Sequence, residues 1–302
     1  MVFLDFEENI AALEAELAEI RHDGGNPAAE ERLRRKIDRE TDLLYARLTP
    51  WQKTLVARHP GRPAAAEVVS ALGHPFVELH GDRAGGDDPL TPCGIGRLGG
   101  RGSVLIGLDR PREPAAPVPD SARRLCKIVR LLRLAGRFRL PVVLIADDPG
   151  GDAPAPGPLA EALCLLAEIK VPVISVALGA LSGSLSTLLM CADVVLMLEH
   201  AIWSVADPEA AASALWPEGR DSPRQAADAL ALTAERLKEM GFVDDLILEP
   251  RGGAHRDSAA AVKEIGFAVL ARLDVLAQAE GGVLRAKRRE RLTAFGRGGG
   301  GR

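Results

Sequence analysis

The sequence predicts an α/β protein that carries helical additions at both ends. Apolar runs typical of buried strands alternate with amphipathic stretches through the middle of the chain, and both ends place apolar residues at helical spacing. The chain has 302 residues, of which 47% are hydrophobic, so it is long enough to bury a sizeable core. We therefore expect one large α/β domain with helical extensions.

Residues 1–47 are predicted to form a helical hairpin. The segment IAALEAELAEIRH (10–22) has helical spacing, HDGGNP interrupts it, and AAEERLRRKIDRETDLLYARL (28–48) resumes it. The charged faces of these helices could lie on a partner subunit or on the body of the same chain, and the pattern favours neither place.

Residues 48–258 are predicted to form the main domain. SVLIGL (103–108) and VVLIAD (142–147) have the composition of buried strands, and residues 122–138 form an amphipathic helix between them. A helix at 159–169 is followed by the strand PVISVAL, the helix STLLMCA (186–192) and the strand DVVLMLE. Strands that alternate with helices at this spacing indicate a largely buried parallel sheet.

The last part of the chain is predicted to be a helical extension over residues 259–296, followed by a disordered tail at 297–302. The basic cluster RAKRRER (285–291) lies within this extension. We expect it to be a solvated helix face.

Composition limits the classes of partner. A formal charge of -4 and a pI of about 5.9 provide no overall basic field, so we expect no nucleic-acid partner. The four cysteines form no CxxC pair, so we expect no metal site and interpret them as reduced core thiols of a cytoplasmic protein. No signal peptide and no apolar run of membrane-spanning length is present, so we expect no membrane partner.

Two loops follow predicted strands and carry the informative glycines. They are ADDPGGDAPAPGP (146–158) and GALSGS (179–184). In a parallel sheet, ligands gather at the carboxyl ends of strands, where helix N-termini offer unpaired N–H groups. Two such loops facing each other could form an oxyanion hole, or both could be ordinary turns, and spacing alone does not decide.

Four long segments of this chain resemble one known family. They are LTPWQKTLVARHPGRP (48–63), FVELHGDRAGGDDP (76–89), VLMLEHAIWSVADPEA (195–210) and LTAERLKEMGFVDDLILEPRGGAHRD (232–257). Together they closely resemble the α subunit of the bacterial acetyl-CoA carboxylase carboxyltransferase. The resemblance runs from LDFEENIAALEAEL near the start to RRERLTAFG near the end, so it covers nearly the whole chain.

The resemblance implies a crotonase-like fold, a superhelix of stacked ββα units. It also implies a β-type partner subunit in an α2β2 assembly, with the zinc ribbon on that partner and no metal on this chain. The implied reaction moves a carboxyl group from carboxybiotin, held on a biotin carrier protein, to the α-carbon of an acyl-CoA or acyl-carrier-protein thioester. Biotin would be a co-substrate and not a covalently bound cofactor, and backbone N–H groups would stabilise the developing negative charge.

The resemblance also suggests site residues, with differences in both loops. The family's DTPGAYPG corresponds to DDPGGDAP here, and its GEGGSGGA corresponds to GALSGSLS. The predicted catalytic N–H donors are Gly150, Gly151, Gly183 and Ser184. The predicted substrate contacts are Gly179, Leu181, Ser182, Leu185 and Asp207.

Two of these substitutions add bulk to the predicted site. We expect Leu181 and Leu185 to lie where a bicyclic ureido ring would approach, so that replacing both with glycine would raise biotin-dependent exchange. The segment 110–124, which follows VLIGLD, is also shorter than in the family. These differences predict changed carboxyltransfer.

Three functions remain open at this stage. The first is an α-type carboxyltransferase subunit in fatty-acid or polyketide biosynthesis. The second is an enzyme that acts on a malonyl or acyl thioester without biotin, as a decarboxylase or through other enolate chemistry. The third is a non-catalytic scaffold for a β-type partner.

Other polar residues carry weaker signals. Asp147, Asp148 and Asp152 could act as acid or base, although such a loop is more often exposed and solvated. His80 and His255 are expected to form structural hydrogen bonds with neighbouring charged residues. A serine hydrolase is disfavoured because the GxSxG pattern is absent around Ser182.

Overall fold

A computed structural model describes residues 2–22, 26–81, 86–112, 121–150, 155–216 and 223–295. The chain begins with a short 3-10 helix, Asp5–Glu7, followed by α1 (Glu8–His22) and α2 (Pro27–Tyr45). The side chain of Asn26 accepts a hydrogen bond from the Ala28 amide at 2.9 Å and so starts α2. These helices form the predicted hairpin, with a small core of its own that contains Ile10, Leu17, Leu33 and Ile37.

The base of this hairpin packs on the body of the same chain. The buried Glu7 carboxylate accepts hydrogen bonds from the Tyr45 hydroxyl and from Arg256, both at 2.9 Å. Arg256 also donates to Glu14 at 2.7 Å. Burial alone would raise the pKa of Glu7, but its hydrogen bonds from Leu4, Arg256 and Tyr45 outweigh burial and hold the pKa below its usual value. The sequence left open whether the hairpin contacts its own chain. These bonds show that it does so around Glu7.

The centre of the molecule is a seven-stranded sheet of order β1-β2-β3-β4-β5-β7-β9. The first three strands pair antiparallel, whereas every pair from β3 to β9 is parallel. The strands are β1 (Phe76–Glu78), β2 (Cys93–Leu98), β3 (Arg101–Asp109), β4 (Val142–Asp147), β5 (Val173–Ala177), β7 (Val194–Leu198) and β9 (Asp245–Ile247). A second, parallel sheet joins β6 (Ala180–Leu181) to β8 (Ile202–Trp203). The predicted alternation of strands and helices is therefore present, with the carboxyl ends of β3, β4, β5 and β7 at one edge.

In the described part of the chain, ten further helices surround the sheet. They are α3 (Pro50–Ala57), α4 (Ala65–Leu72), α5 (Ser121–Phe138), α6 (Pro156–Glu168), α7 (Thr187–Met190), α8 (Pro208–Leu215), α9 (Pro223–Ala229), α10 (Ala234–Glu239), α11 (Ser258–Leu276) and α12 (Gly281–Ala294). The main core lies between the central strands and α4, α5, α6 and α11, and all six residues of β4 are buried in it. Strands buried on both faces explain why the sequence shows continuous apolar runs there.

Several helices differ in extent from the prediction. α6 begins at Pro156, three residues before the predicted start, because proline is well placed in a first helical turn. α7 is a single turn of four residues. The C-terminal extension is two helices and not one. A side chain at Gly281, where α12 begins, would place its Cβ 2.4 Å from the carbonyl oxygen of Lys170.

The basic cluster of α12 is only partly a solvated face. Arg288 is buried and forms two hydrogen bonds with Asp193, at 3.0 and 2.6 Å. It also donates to the carbonyl oxygens of Leu166, Ile169 and Val171. The expectation was therefore wrong for Arg288, because a buried arginine can satisfy its five donors on carbonyl groups and one carboxylate.

The cysteines divide into two groups. All four are free thiols, with Cys93 and Cys191 buried and Cys126 and Cys164 exposed. The expectation that all are core thiols was therefore wrong for the exposed pair, which lies on the outer faces of α5 and α6. Within the described ranges, no helix combines the length and the apolar character that crossing a bilayer requires. The predicted tail at 297–302 lies outside the described residues.

Candidate functional site

The two predicted loops contact each other at the carboxyl ends of β4 and β5. The Ser182 amide donates to the carbonyl oxygen of Asp148 at 3.1 Å, and the Ser182 hydroxyl donates to the carbonyl oxygen of Pro149. Gly150 and Gly183 have φ angles of 74° and 71°, in the region that favours glycine. A Cβ on Gly150 would lie 2.9 Å from the Ser182 carbonyl oxygen, so glycine at this position allows the close approach.

The four predicted N–H donors are not equivalent. The Gly150 amide donates to its neighbour Asp148 Oδ1 at 3.0 Å and is therefore used within its own loop. Gly183 precedes a 3-10 turn, Ser184–Ser186, which leads into α7. In the part of the chain that the structure describes, no hydrogen bond occupies the amides of Gly183 and Ser184, as is usual for the start of a helix. Gly151 lies outside the described residues.

Gly179 allows β5 to turn away beside Asp147. A Cβ at Gly179 would lie 2.3 Å from Asp147 Oδ1 and 2.9 Å from the Ala57 carbonyl oxygen. The Ala180 amide donates to the same carboxylate at 3.1 Å. The position of Gly179 therefore requires glycine for a structural reason, because Asp147 and Ala57 fill the space that a side chain would need.

Asp147 and Asp148, the described acidic residues of the first loop, are buried, contrary to the expectation of a solvated loop. Burial raises the pKa of Asp147, and the opposing effect of Arg110 is smaller. Arg110 Nε lies 3.1 Å from Asp147 Oδ2, which is close enough for an ion pair, although the two groups are not aligned for a hydrogen bond. Asp148 is also buried, whereas Asp152 lies outside the described residues.

Asp148 is paired with an arginine that the sequence interpretation missed. Arg124 Nη1 donates to Asp148 Oδ2 at 2.5 Å, and Arg124 Nε donates to Asp88 Oδ2 at 3.0 Å. A usable signal was present, because Arg124 lies four residues before Ile128 and seven before Leu131, on the apolar face of α5. A charged residue in such a position requires a buried partner.

The two leucines of the second loop are part of the main core. Leu181 is 1% exposed and Leu185 is 8% exposed, and both pack in the cluster that contains the central strands. Their bulk is thus accommodated within the chain itself. Their predicted role in substrate binding stays a prediction.

Asp207 lies at the N-terminus of α8 and forms an ion pair with Arg58 at 3.3 Å. Burial raises the pKa of Asp207, and Arg58 opposes this effect. The ion-pair partner of Asp207 therefore lies in the segment that joins α3 to α4.

An apolar cavity of about 250 Å³ adjoins the second loop. Gly183 forms part of its wall together with Thr187 and Ser204, whose hydroxyls already donate to the carbonyl oxygens of Ser184 and Ala206. The remaining wall is mainly apolar and includes Met190, Trp203, Leu230, Leu237, Met240 and Phe242. Leu181 and Leu185 are not among the residues that line it.

This geometry suits the stabilisation of a developing anion. Open backbone amides beside an apolar wall form a preorganised set of dipoles in a region of low polarity, where a hydrogen bond to negative charge is strong. Two serine hydroxyls of this region are already engaged, since Ser182 donates to the Pro149 carbonyl oxygen and Ser186 to the Gly183 carbonyl oxygen. Among the described residues, no histidine is bonded to either of these two hydroxyls.

The two histidines in the matched segments lie in different surroundings. His80 Nδ1 lies 2.9 Å from Asp87 Oδ2, which is the expected type of structural hydrogen bond. His255 instead stacks on His59 with the ring centroids 4.1 Å apart, and its Nδ1 has no hydrogen-bond partner within the described ranges. Burial, aided by His59, lowers the pKa of His255 to about 3.

Known structures share this architecture. Transcarboxylase 12S superposes with a TM-score of 0.58 over 72% of this chain and 42% of that chain, at 18% identity. A Pseudomonas malonate decarboxylase hetero-dimer superposes with a TM-score of 0.55 over 76% of this chain and 93% of that chain, at 17% identity. Likeness at such identities shows the fold alone, and it confirms the crotonase-like fold that the sequence resemblance implies.

Sequence relatives match over nearly the full length. The family model described as acetyl co-enzyme A carboxylase carboxyltransferase-like matches residues 3–296. The acetyl-coenzyme A carboxylase carboxyl transferase subunit α of Acidiphilium cryptum is 41% identical over 97% of this chain and 98% of its own. The same subunit of Paramagnetospirillum magneticum is 38% identical over 99% of each chain. The chain therefore belongs to the family of acetyl-coenzyme A carboxylase carboxyltransferase α subunits.

Proposed function

We propose that this chain is the α-type subunit of a biotin-dependent acyl-CoA carboxylase. With a β-type subunit, it would transfer a carboxyl group from carboxybiotin to an acyl thioester, and the malonyl-type product would enter fatty-acid or polyketide biosynthesis. Family membership supports the class of reaction. The observation that carries the site is the pair of open amides at Gly183 and the adjacent Ser184, with Gly183 in the wall of the apolar cavity.

The open amides would bind the ureido oxygen of biotin. As the bond between the ureido nitrogen and the carboxyl group breaks, negative charge develops on that oxygen. Amides already held in place by the start of a helix stabilise this charge without reorganisation at the moment of reaction. Because this binding strengthens only as the charge develops, it accelerates the chemical step.

The cavity beside Gly183 suits the rest of the ring system. A bicyclic ureido ring is compact and mostly apolar, with one strong acceptor oxygen. Its apolar body matches the walls formed by Met190, Trp203 and Phe242, and its acceptor oxygen matches the open amide of Gly183. The site would hold biotin as a co-substrate, brought by a biotin carrier protein and not bound covalently.

The acyl thioester would be held mainly by the β-type subunit, in an α2β2 assembly. The carboxyl ends of β4 and β5 would then face that partner, because both glycine loops lie at this edge. The thioester would be an acyl-CoA or an acyl-carrier-protein adduct.

The test uses this chain co-purified with its β-type partner. The complex is incubated with malonyl-CoA in the presence and absence of biocytin, and release of acetyl-CoA is followed. Release that requires biocytin is expected, because transfer from malonyl-CoA to biotin is the reverse of the proposed reaction. Release independent of biocytin, or no release from a folded complex, would contradict the proposal.

Ser184→Pro tests the amide itself. Proline removes the N–H group, yet it is tolerated in the first turn of a helix, where Ser184 lies. Loss of one such donor should lower kcat by about a hundredfold. Ser184→Ala keeps the amide, so it should retain far more activity, and equal losses in the two variants would count against a role for this N–H group.

An enzyme that acts on a thioester without biotin is a second candidate. One observation favours it. The Gly150 amide already donates to Asp148, so the first loop offers fewer free donors to a ligand. The remaining amides would serve a thioester enolate as well as a ureido oxygen. Biocytin-independent release would support this candidate, whereas a complex without any release would support the scaffold function.

A further inference from the structure

Arg124 joins three segments of the chain around the first glycine loop. It is 5% exposed and projects from the first turns of α5. Its guanidinium donates to Asp148 Oδ2 at 2.5 Å, to Asp88 Oδ2 at 3.0 Å and to the Asp109 carbonyl oxygen at 3.2 Å. Asp109 ends β3 and Asp148 follows β4, so Arg124 ties two neighbouring strand ends to the loop before β2.

Asp148 connects Arg124 to both glycine loops. Its second carboxylate oxygen, Oδ1, accepts the Gly150 amide at 3.0 Å, and its carbonyl oxygen accepts the Ser182 amide at 3.1 Å. Ser182 directly precedes Gly183, whose amide we place in the site. A shift of Asp148 would therefore move Gly150 and Ser182 together, and with them the backbone that presents Gly183 and Ser184.

The charge of this pair also matters to the site. Asp148 is buried close to amides that stabilise a developing anion, so an uncompensated carboxylate there would repel that charge. Arg124 supplies the compensating positive charge, and Asp88 shares its guanidinium. Arg124 thus fixes the geometry of the loop and offsets part of the negative charge of the two carboxylates.

We infer that Arg124 is a positioning residue, which acts through Asp148 to hold the two glycine loops in the arrangement that presents the Gly183 and Ser184 amides. The inference rests on the proposed function for its effect on transfer. The coupling of Arg124 to the Ser182 backbone is independent of the proposed function.

The variants are Arg124→Met, Arg124→Lys and the double change Arg124→Met with Asp148→Asn. Arg133→Met is the matched control, because it removes the same charge from the same helix. In the wild type, Arg133 forms an exposed ion pair with Glu161. Each is measured in the full complex with the β-type partner. The readouts are kcat and KM for biocytin-dependent release, and amide hydrogen exchange in the peptide that contains Ser182.

Arg124→Met is expected to lower kcat by about tenfold to a hundredfold, because displaced donors align poorly with the reacting group. KM for malonyl-CoA is expected to stay unchanged, since the thioester lies mainly on the partner. Exchange in the Ser182 peptide should be faster. Arg124→Lys, which restores the charge, and the double variant, which removes the unpaired carboxylate, should both recover part of kcat, and Arg133→Met should match the wild type.

Two results would overturn the inference. One is an Arg124→Met complex with the kcat and the Ser182 exchange of Arg133→Met. The other is a loss of kcat that Arg124→Lys does not relieve while exchange in the Ser182 peptide is unchanged. If the wild type itself shows no biocytin-dependent release, the proposed function fails, and the exchange comparison alone decides the inference.

Discussion

Arg62 and Glu249 form a bidentate ion pair in which both side chains are fully buried. Arg62 Nη1 and Nη2 donate to the two carboxylate oxygens of Glu249 at 2.8 and 2.6 Å. Arg62 also donates to the carbonyl oxygen of Leu178, which directly precedes Gly179. Burial alone would raise the pKa of Glu249, but Arg62 outweighs it and lowers that pKa to about 2. The pair therefore fixes the backbone between the end of β5 and the second glycine loop.

Breaking this pair should destabilise the fold strongly. Arg62→Met leaves the Glu249 carboxylate buried without its partner, at an expected cost of about 3–5 kcal/mol in the free energy of unfolding. Urea denaturation measures it. Arg251→Met is the control, because Arg251 pairs with Asp38 and Asp42 at the surface and should leave the midpoint unchanged. Equal midpoints for the two variants would contradict this account.

A methyl group at Gly179 should disturb the junction of the two loops. In Gly179→Ala the new Cβ meets the buried Asp147 carboxylate and the Ala57 carbonyl oxygen, so the free energy of unfolding should fall by about 1–3 kcal/mol. Gly157→Ala serves as the matched change, since nothing lies within 4 Å of its added Cβ. Thermal unfolding should show a lower midpoint only for Gly179→Ala.

Leu181 should contribute stability and not block a ligand. Because its side chain is packed in the main core, Leu181→Ala should lower the free energy of unfolding by about 2–5 kcal/mol. Leu215→Ala, at an exposed position in α8, should have little effect in the same denaturation assay. A stable Leu181→Gly, Leu185→Gly variant with increased biotin-dependent exchange would instead support the hypothesis drawn from the sequence.

Arg288 should anchor the last helix. Arg288→Met leaves the Asp193 carboxylate without its positively charged partner and removes a donor from three carbonyl groups. The free energy of unfolding should fall by about 3–5 kcal/mol. Limited proteolysis should then cut within α12, and urea denaturation should report the loss. Arg289→Met removes only an exposed contact with Glu168 and should resist proteolysis as the wild type does.

His255 should make the fold less stable as the pH falls. In the unfolded chain a histidine binds its proton near pH 6.5, whereas the folded chain holds the pKa of His255 at about 3, so acid favours the unfolded state between these values. Between about pH 7 and about pH 5, this partly buried ring should lower the free energy of unfolding by about 1–2 kcal/mol.

Two variants isolate that contribution. His255→Phe keeps a ring against His59, and His255→Gln removes it, and both should show a smaller loss of stability than the wild type in urea denaturation at the two pH values. Some dependence should remain, because burial also lowers the pKa of His59 and His200. A pH dependence identical to that of the wild type in both variants would refute the assignment.

The central strands were predictable because they are buried on both faces. β3, β4, β5 and β7 therefore appear as unbroken apolar runs between helical segments. The edge strands β1 and β9 have three residues each, too few for a pattern to be seen. The two-residue strand β6 depends on its pairing with β8, which lies over twenty residues later and is set by the tertiary fold.

The meeting of the two glycine loops was predictable, but the side-chain contacts that hold them were not. Gly150 and Gly183 follow from the rule that loops gather at the carboxyl ends of parallel strands. Arg124 lies 24 residues from Asp148 and 36 from Asp88, so no local pattern connects them. The direction of the Leu181 side chain depends on the short strand β6, and a shift of one residue would have turned it to the other face.

The docking of the N-terminal hairpin depends on contacts between residues that are far apart in the sequence. Glu7 is synthesised well before its partner Arg256, which follows 249 residues later. The hairpin can form its own small core early, because its contacts are local, but it cannot take its final place until nearly the whole main domain has been synthesised. Translation therefore imposes an order in which the hairpin is made before the main domain but docks on it only afterwards.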